Sequence, residues 1–279
     1  MMDQATELRK LVLRSMRERS AVSGPPPHLM LLGGGKGGVG VTTLAVNLSV
    51  GLAEQGARVV IVDADLYRSD VAALCGIAER EAAADLLVTR RDIHEVLQRG
   101  PAGIQVVPGL WPPGQQAECS AMAQERLLRQ FRALGPHADL VVLDVGSGSS
   151  ACARRLCSAA DDLLLVTTPD SLSVMDTYAR IKASVAGAGK TALRLVVNQC
   201  CDPAQAADVH RRIDQSCHRF LGIRVLLLGQ VPEDPQVRGA ASRAVPFVLA
   251  APESPAARGV QRMAAQLWGG LQESLSKTA

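Results

Sequence analysis

The chain contains 279 residues, of which 47% are hydrophobic, so it is long and apolar enough to form one large α/β domain. Its formal net charge of +3 does not by itself indicate nucleic-acid binding, and an aromatic content of 3% leaves few stacking surfaces for single strands. The seven cysteines form no C-x-x-C pair, which argues against a zinc site and favours reduced thiols in a cytoplasmic protein.

The first part of the chain divides into a helix and a linker. Residues 1–20 predict a short amphipathic helix, because apolar residues recur at helical spacing among basic ones. Prolines make residues 21–27 a stiff linker. The charged start predicts no signal peptide, and we find no run of roughly 18 apolar residues that would predict a membrane span.

Beyond the linker, short apolar runs alternate with helical patterns. Continuous apolar strands separated by helices are typical of a parallel sheet that is covered on both faces. We therefore predict an α/β fold, a doubly wound and mostly parallel sheet over residues 28–268, followed by a tail, 269–279. Ligands of such sheets bind at the carboxyl ends of the strands. The predicted strands are His28–Leu32, Arg58–Val62, Ile104–Pro108, Leu140–Leu143, Asp162–Thr167, Leu193–Asn198 and Arg224–Gly229.

The glycine-rich segment after the first strand predicts a phosphate-binding loop. It lies between a strand and a helical pattern, which is the context that a P-loop requires. Glycines let successive N–H groups converge on phosphate oxygens, and the N-terminus of the following helix adds more of them. In the pattern G-x-x-x-x-G-K-[ST], however, the lysine position is occupied by Val41. The predicted nucleotide-binding residues are Gly35, Lys36, Gly37, Gly38, Val39, Gly40, Val41, Thr42 and Thr43.

Two carboxylates end the second predicted strand, Asp63 and Asp65. Charged groups at the end of a buried strand are costly to desolvate without a partner. Next to a bound nucleotide, that partner is Mg²⁺ or an attacking water. Thr42 would supply a hydroxyl ligand to the same metal.

Residues 35–43 resemble the deviant Walker A motif of the MinD/ParA ATPases, in which an early lysine is diagnostic. The resemblance implies ATP and Mg²⁺ as cofactors. It also implies that Lys36 takes part in catalysis by reaching the phosphates across an ATP-bound homodimer. Val41 departs from the family, which normally has lysine there.

The same resemblance assigns roles to later residues. It implies that Asp65 orients the hydrolytic water and that Asp63 supports the metal shell. The strand ending in Asp144 resembles a Walker B element that reaches Mg²⁺ through water, with Gly146–Gly148 as switch II. The segment that begins with residues 59–65 resembles the switch I region of the family, and the asparagine usually found soon after Asp65 is replaced by Asp70.

The base-binding residues also follow from the resemblance. Asn198 ends a strand, where its amide can pair with the edge of adenine. Pro232 and Asp234 belong to a segment that resembles the loop closing over the base. The absence of an N-K-x-D guanine motif favours adenine over guanine.

The N-terminal helix narrows the resemblance to the flagellar-number regulator branch (FlhG, FleN, YlxH). The segment Asp3–Arg9 resembles a DQ-x-x-x-LR element that engages a signal-recognition-type GTPase, with Asp3, Gln4, Leu8 and Arg9 as the contact residues. An ordinary helix start with an aspartate cap is the alternative interpretation.

The sequence leaves three functions open. The first is an ATP-dependent dimerisation switch with slow hydrolysis that regulates flagellar number or placement. The second is a non-hydrolysing nucleotide-binding scaffold, because Val41 removes a phosphate contact for which Lys36 or Arg68 would have to compensate. The third is a ParA-type segregation ATPase for DNA or other cargo, with a basic surface around Arg238, Arg243 and Arg258.

The location of the protein depends on the last residues. An apolar stripe over 259–275 predicts an amphipathic helix, which can pack on its own domain or bind a membrane. The glycine pair Gly269-Gly270 is expected to weaken this helix. We expect a cytoplasmic protein, and the alternative is peripheral attachment at the inner face of the cell membrane.

Overall fold

The computed structural model describes residues 25–78, 92–110, 120–148, 150–185 and 191–278. The partner motif with Asp3, Gln4, Leu8 and Arg9 lies outside the described residues, as does most of the linker 21–27. Both therefore stay predictions.

Eight strands form one sheet in the order β3-β4-β2-β5-β1-β6-β7-β8. All neighbouring strands are parallel except β3 and β4, which are antiparallel. The predicted fold class is confirmed. The short β3 was not predicted, because two polar residues show no strand pattern. The strands are β1 His28–Gly34, β2 Val59–Asp63, β3 Gln98–Arg99, β4 Gln105–Val107, β5 Leu140–Asp144, β6 Asp162–Thr167, β7 Ala192–Cys200 and β8 Leu226–Pro232.

Nine α-helices lie in the described residues, together with two 3₁₀ turns at Ile93–Glu95 and Pro101–Gly103. Longer helices connect parallel strands, as crossovers of this kind require. The helices are α1 Val41–Glu54, α2 Val71–Leu74, α3 Ala121–Arg132, α4 Ala151–Ala159, α5 Ser171–Val185, α6 Pro203–Leu221, α7 Pro235–Ala241, α8 Phe247–Ala250 and α9 Pro255–Thr278.

The sheet separates two hydrophobic cores. Alternate residues of β1 point to opposite faces, so Leu29 and Leu31 belong to one core and Met30 and Leu32 to the other. The first core contains residues of α3, α4, α5 and α6, and the second contains residues of α1 and α9. Because both faces are covered, the central strands β1, β2, β5 and β6 are apolar along most of their length.

Helix α9 packs on its own domain. Val260, Met263 and Leu267 are buried against the core that contains α1, and Leu271 is partly buried there. Burial of each large apolar side chain stabilises the fold by about 1.5–3 kcal/mol. The helix continues through Gly269 and Gly270, because packing on both sides of the glycine pair outweighs their low helix propensity. The boundary suggested at 268 therefore falls inside a helix. Among the described helices, none combines the length and apolarity of a membrane span.

Candidate functional site

The predicted site residues meet at the carboxyl edge of the sheet. β5 lies between β2 and β1, so the ends of these strands bring Asp63, Asp144 and the glycine loop after β1 side by side. β7 and β8 carry Asn198 and Pro232 to the same edge.

The phosphate loop is formed mainly by backbone. Gly40 caps α1 with φ of 91°, a left-handed conformation that favours glycine, and a Cβ there would also overlap the amide of Asn198. No side chain caps this helix, and its first turn contains no acidic residue. The N–H groups at the start of α1 are thus free of side-chain caps and available to an anion.

Val41 is buried rather than directed into solvent. Its side chain is 5% exposed and packs in the core beneath the loop, beside Val39. The structure therefore accommodates valine at the lysine position without a change in the helix start.

Lys36 is held by a carboxylate of its own chain. Its Nζ lies 2.8 Å from Oδ1 of Asp170, which also accepts a hydrogen bond from the Ser173 N–H at 2.9 Å. The lysine and the hydroxyl of Thr168 hold the pKa of Asp170 well below its usual range. Asp170 thus orients Lys36 and begins α5 at the same time.

Asp63 and Asp144 face each other on neighbouring strands and are both fully buried. Burial, with the negative charge of Asp144, raises the pKa of Asp63 to about 7. Burial likewise raises the pKa of Asp144 to about 6, against the opposing effect of the Thr42 hydroxyl and the Gly146 N–H. The pair is therefore an unfavourable place for two negative charges unless a cation approaches.

The two aspartates use their oxygens differently. Asp63 binds switch I: Oδ2 accepts hydrogen bonds from the Ser69 hydroxyl at 3.0 Å and from the Val71 N–H at 3.1 Å. Asp144 accepts one from the Gly146 N–H through Oδ1, at 3.0 Å, whereas its buried Oδ2 has no hydrogen-bond partner of normal geometry.

Thr42 and Asp144 fit a magnesium ion that is bound together with a nucleotide. The hydroxyl and the unpartnered Oδ2 are hard oxygen donors beside the phosphate loop. No group of three His, Cys, Asp or Glu side chains that could hold a metal occurs in the described residues. Mg²⁺ takes one or two protein oxygens and completes its shell with phosphates and waters.

Asp65 bridges the two switch segments. Its Oδ1 accepts a hydrogen bond from the Tyr67 N–H at 2.8 Å, and its Oδ2 lies so close to Gly146 that a Cβ at residue 146 would overlap it. Partial burial raises the pKa of this carboxyl. Asp65 is therefore close to switch II, where a water-orienting carboxylate would be needed.

Asn198 lines a cleft of about 490 Å³ beside Gly40, at the end of the phosphate loop. Its Nδ2 donates to the Val39 carbonyl at 2.8 Å, which fixes the plane of the amide. Thr43, Pro232 and Asp234 also line this cleft. The side chain of Asp234 caps two helices, since its oxygens accept from the N–H groups of Gln236 and Ala256 at 2.9 and 3.2 Å.

The other arginines to which the sequence assigned possible roles are partly paired with carboxylates. Arg68 lies 3.1 Å from Asp70, the residue that replaces the switch I asparagine. Arg258 lies 2.6 Å from Glu253, and Arg238 lines the cleft beside Asn198. The basic surface expected around Arg238, Arg243 and Arg258 is therefore interrupted by a carboxylate and by the cleft.

Sequence reasoning missed two residues, Asp170 and Arg180. Asp170 stands before a helix, and a Thr-Pro-Asp-Ser run is a recognisable N-terminal cap signal. Arg180 lies on the same helical face as Val174, Thr177 and Ile181 and is 7% exposed. A charged residue on an apolar face was the available signal for it.

Comparison with known proteins identifies relatives of the whole domain. The ParA family, described as "NUBPL iron-transfer P-loop NTPase", matches residues 27–268. The antiactivator FleN of Pseudomonas aeruginosa is 31% identical over 231 residues, which cover 83% of this chain and 82% of FleN. The flagellum site-determining protein YlxH of Helicobacter pylori is 26% identical over 186 residues, covering 64% and 60% of the two chains.

A solved structure has the same fold. The septum site-determining protein MinD of Pyrococcus horikoshii, in complex with Mg-ADP, superposes with a TM-score of 0.70 at 24% identity. The match covers 86% of this chain and 96% of that protein.

Proposed function

The chain belongs to the ParA/MinD family of P-loop NTPases, and we propose that it is an ATP-dependent dimerisation switch with slow hydrolysis. The observation that carries the proposal is that the Thr42 hydroxyl and the Asp144 carboxylate, whose Oδ2 has no hydrogen-bond partner of normal geometry, lie together at the start of α1, which no side chain caps. Together they present a cation site next to an anion site, which is what a magnesium–nucleotide complex requires.

Adenine is the base that the cleft fits. Because one N–H of Asn198 Nδ2 is held by the Val39 carbonyl, the amide oxygen and the second N–H are left to meet a ligand. An amide that offers one acceptor and one donor suits the exocyclic amine of adenine and the ring nitrogen beside it. Pro232 and Asp234 would then contribute the wall of the cleft rather than a charged contact.

Hydrolysis should be slow because the charge of the P-loop lysine is missing. A charge-assisted contact to phosphate stabilises a complex by about 1.5–3 kcal/mol, or roughly one to two decades of affinity. Of the two cations that could compensate, Lys36 is paired with Asp170 and Arg68 with Asp70. A non-hydrolysing scaffold is therefore the second candidate, and the retained Asp65 argues against it.

Regulation of flagellar number or placement is the process that the relatives support. FleN is an antiactivator and YlxH determines the flagellum site, and both match most of the ATPase domain proposed here. We assign the homodimer to the ATP-bound state, in which Lys36 would leave Asp170 to meet the partner's nucleotide. The signal-recognition-type GTPase remains the partner proposed for Asp3, Gln4, Leu8 and Arg9.

Two other functions have less support. A ParA-type segregation ATPase needs a continuous basic surface, and Arg258 is paired with Glu253. Iron transfer needs shared metal ligands, and the described residues contain no group of three His, Cys, Asp or Glu side chains placed to share a metal; five of the described cysteines are buried and one, Cys201, is exposed. A peripheral membrane location is also less favoured, because the apolar stripe of α9 packs on the domain.

The test is ATP binding and turnover of the full chain, compared with Asp65→Ala. We expect wild type to bind Mg²⁺-ATP and to hydrolyse it slowly, and the variant to bind but lose turnover by about 10²–10⁴-fold. Light scattering after gel filtration should give a dimer for Asp65→Ala with ATP and a monomer with ADP.

Ser150→Ala is the control, because Ser150 follows switch II in the chain and its hydroxyl caps α4 by accepting from the Ala153 N–H. If wild type binds ATP but turnover is absent and Asp65→Ala changes nothing, the scaffold is correct. If wild type fails to bind any nucleotide, the proposal is wrong.

A further inference from the structure

Arg180 is a buried cation that the proposed chemistry does not use. It lies in the middle of α5 and is 7% exposed, and among the described residues no carboxylate is within ion-pair distance of it. Burial of an unpaired charge is unfavourable, so its position calls for a compensating function.

The guanidinium of Arg180 is hydrogen-bonded to the backbone of switch II. Nη1 donates to the Ser147 carbonyl at 3.2 Å and also to the Gly148 carbonyl. On its other side, switch II is joined to the start of the phosphate loop, because the Gly34 N–H donates to the Gly146 carbonyl at 3.0 Å. Switch II is thus bonded to the phosphate loop at one end and to Arg180 at the other.

One nitrogen of the arginine lacks a strong acceptor. Nη2 is buried without a hydrogen-bond partner of normal geometry and would lie 3.2 Å from a Cβ placed on Gly33, and the Cys157 thiol, a weak acceptor, lies beside the guanidinium. A buried donor left unpaired costs about 1–3 kcal/mol. This cost indicates that the arginine completes its hydrogen bonds in another arrangement of switch II.

We infer that Arg180 is a positioning residue that sets the orientation of switch II, and that through it the protein distinguishes ATP from ADP. The inference rests on the proposed function, since it assigns to switch II the detection of the γ-phosphate. The Arg180 guanidinium donates to the backbone carbonyls of switch II. It acts by fixing the backbone of Gly146–Gly148, which lies against Asp65 and follows Asp144.

The test compares Arg180→Met and Arg180→Lys with the control Lys182→Met, which removes an exposed cation from the same helix. Two quantities are measured: hydrogen exchange of the amides at 145–148 in nucleotide-free protein, and the ratio of the Kd values for ADP and ATPγS with Mg²⁺. For Arg180→Met we expect exchange to rise about tenfold, as loss of a charged hydrogen bond implies. The affinity ratio should fall towards one while the Kd for ADP changes less than about twofold. Arg180→Lys should lie between wild type and Arg180→Met.

Equal loss of affinity for both nucleotides, or no change in either quantity, would overturn the inference. If Arg180→Met does not fold, as judged by its thermal unfolding, Arg180→Lys decides, and wild-type behaviour of that variant overturns the inference too. If wild type binds no nucleotide, the proposed function fails. The γ-phosphate role then fails with it, while hydrogen exchange still shows whether Arg180 holds switch II.

Discussion

The phosphate loop and the switch segments contribute to the candidate site by opposite means. The loop offers backbone N–H groups from a helix start without a side-chain cap, and its lysine position is an apolar valine. The switch segments offer buried side chains, chiefly Asp63 and Asp144, whose pKa values are raised by burial. The loop can therefore lose a side chain and keep its shape, whereas the switch segments cannot lose a carboxylate without losing their chemistry.

The difference explains how Val41 is tolerated. Gly40 sets the turn through its left-handed backbone, and Val41 adds to the core beneath it. The missing lysine thus changes the charge of the site and leaves its geometry intact. The substitution should affect affinity and rate more than folding.

Asp144→Asn should give the largest effect, because it removes the carboxylate that is proposed to bind Mg²⁺. The Mg²⁺-dependent part of the nucleotide affinity should fall by about 100-fold, at the upper end of what loss of a metal-orienting group costs. The measurement is a titration of labelled ATP with and without Mg²⁺. Nucleotide affinity without Mg²⁺ should stay within about threefold of wild type. A Mg²⁺ effect as large as in wild type would remove Asp144 from the metal site.

Val41→Lys gives the phosphate loop the lysine side chain that the P-loop pattern has at this position. ATP affinity should rise by about 10- to 100-fold, because a charge-assisted phosphate contact is restored. Val41→Met is the matched control, since it lengthens the side chain without a charge. Equal gains in the two variants would mean that packing, and not charge, limits the loop.

The acidic pair should also make the nucleotide-free protein less stable as pH rises. The pKa of Asp144 is higher in the folded state than in the unfolded chain, so the folded state binds more protons between about pH 4 and 7. Stability is lost over this range because ionised Asp144 is buried. Asp144→Asn should equal wild type near pH 4 and exceed it by about 1–3 kcal/mol above pH 7. Urea unfolding at a series of pH values tests this, and a gap that does not grow with pH would contradict it.

Asp170→Asn should give the smallest effect. Asparagine can still cap α5 but no longer pairs with Lys36. The freed lysine should raise the affinity for ATPγS by about threefold, as expected for a partly exposed ion pair worth under 1 kcal/mol. Thermal unfolding serves as the control and should shift little. A fall in affinity would mean that Asp170 orients Lys36 productively.

The fold was largely predictable from the sequence. Seven apolar runs became seven strands because a strand buried on both faces must be apolar throughout. β3 was missed because two polar residues at an edge need no such pattern. The roles of Lys36, Asp65 and Asn198 came from motifs, and their hydrogen-bond partners did not, since these are distant in the chain.

The continuous helix through Gly269-Gly270 also depends on contacts that the local sequence does not predict. Local propensity predicts a weak point there, but the contacts of Leu267 and Leu271 with the core outweigh it. Propensity depends on neighbours in sequence, whereas packing depends on residues that come from far along the chain.

By itself the sequence determined the α/β class and, through motifs that resemble known ATPases, the family. The class depends on periodicity and the resemblance on short motifs, both of which are local. The tertiary structure decided that Asp170 holds Lys36, that Asp144 keeps an unpartnered oxygen and that Arg180 lies beneath switch II. These facts depend on the strand order, which brings together residues that no local pattern connects.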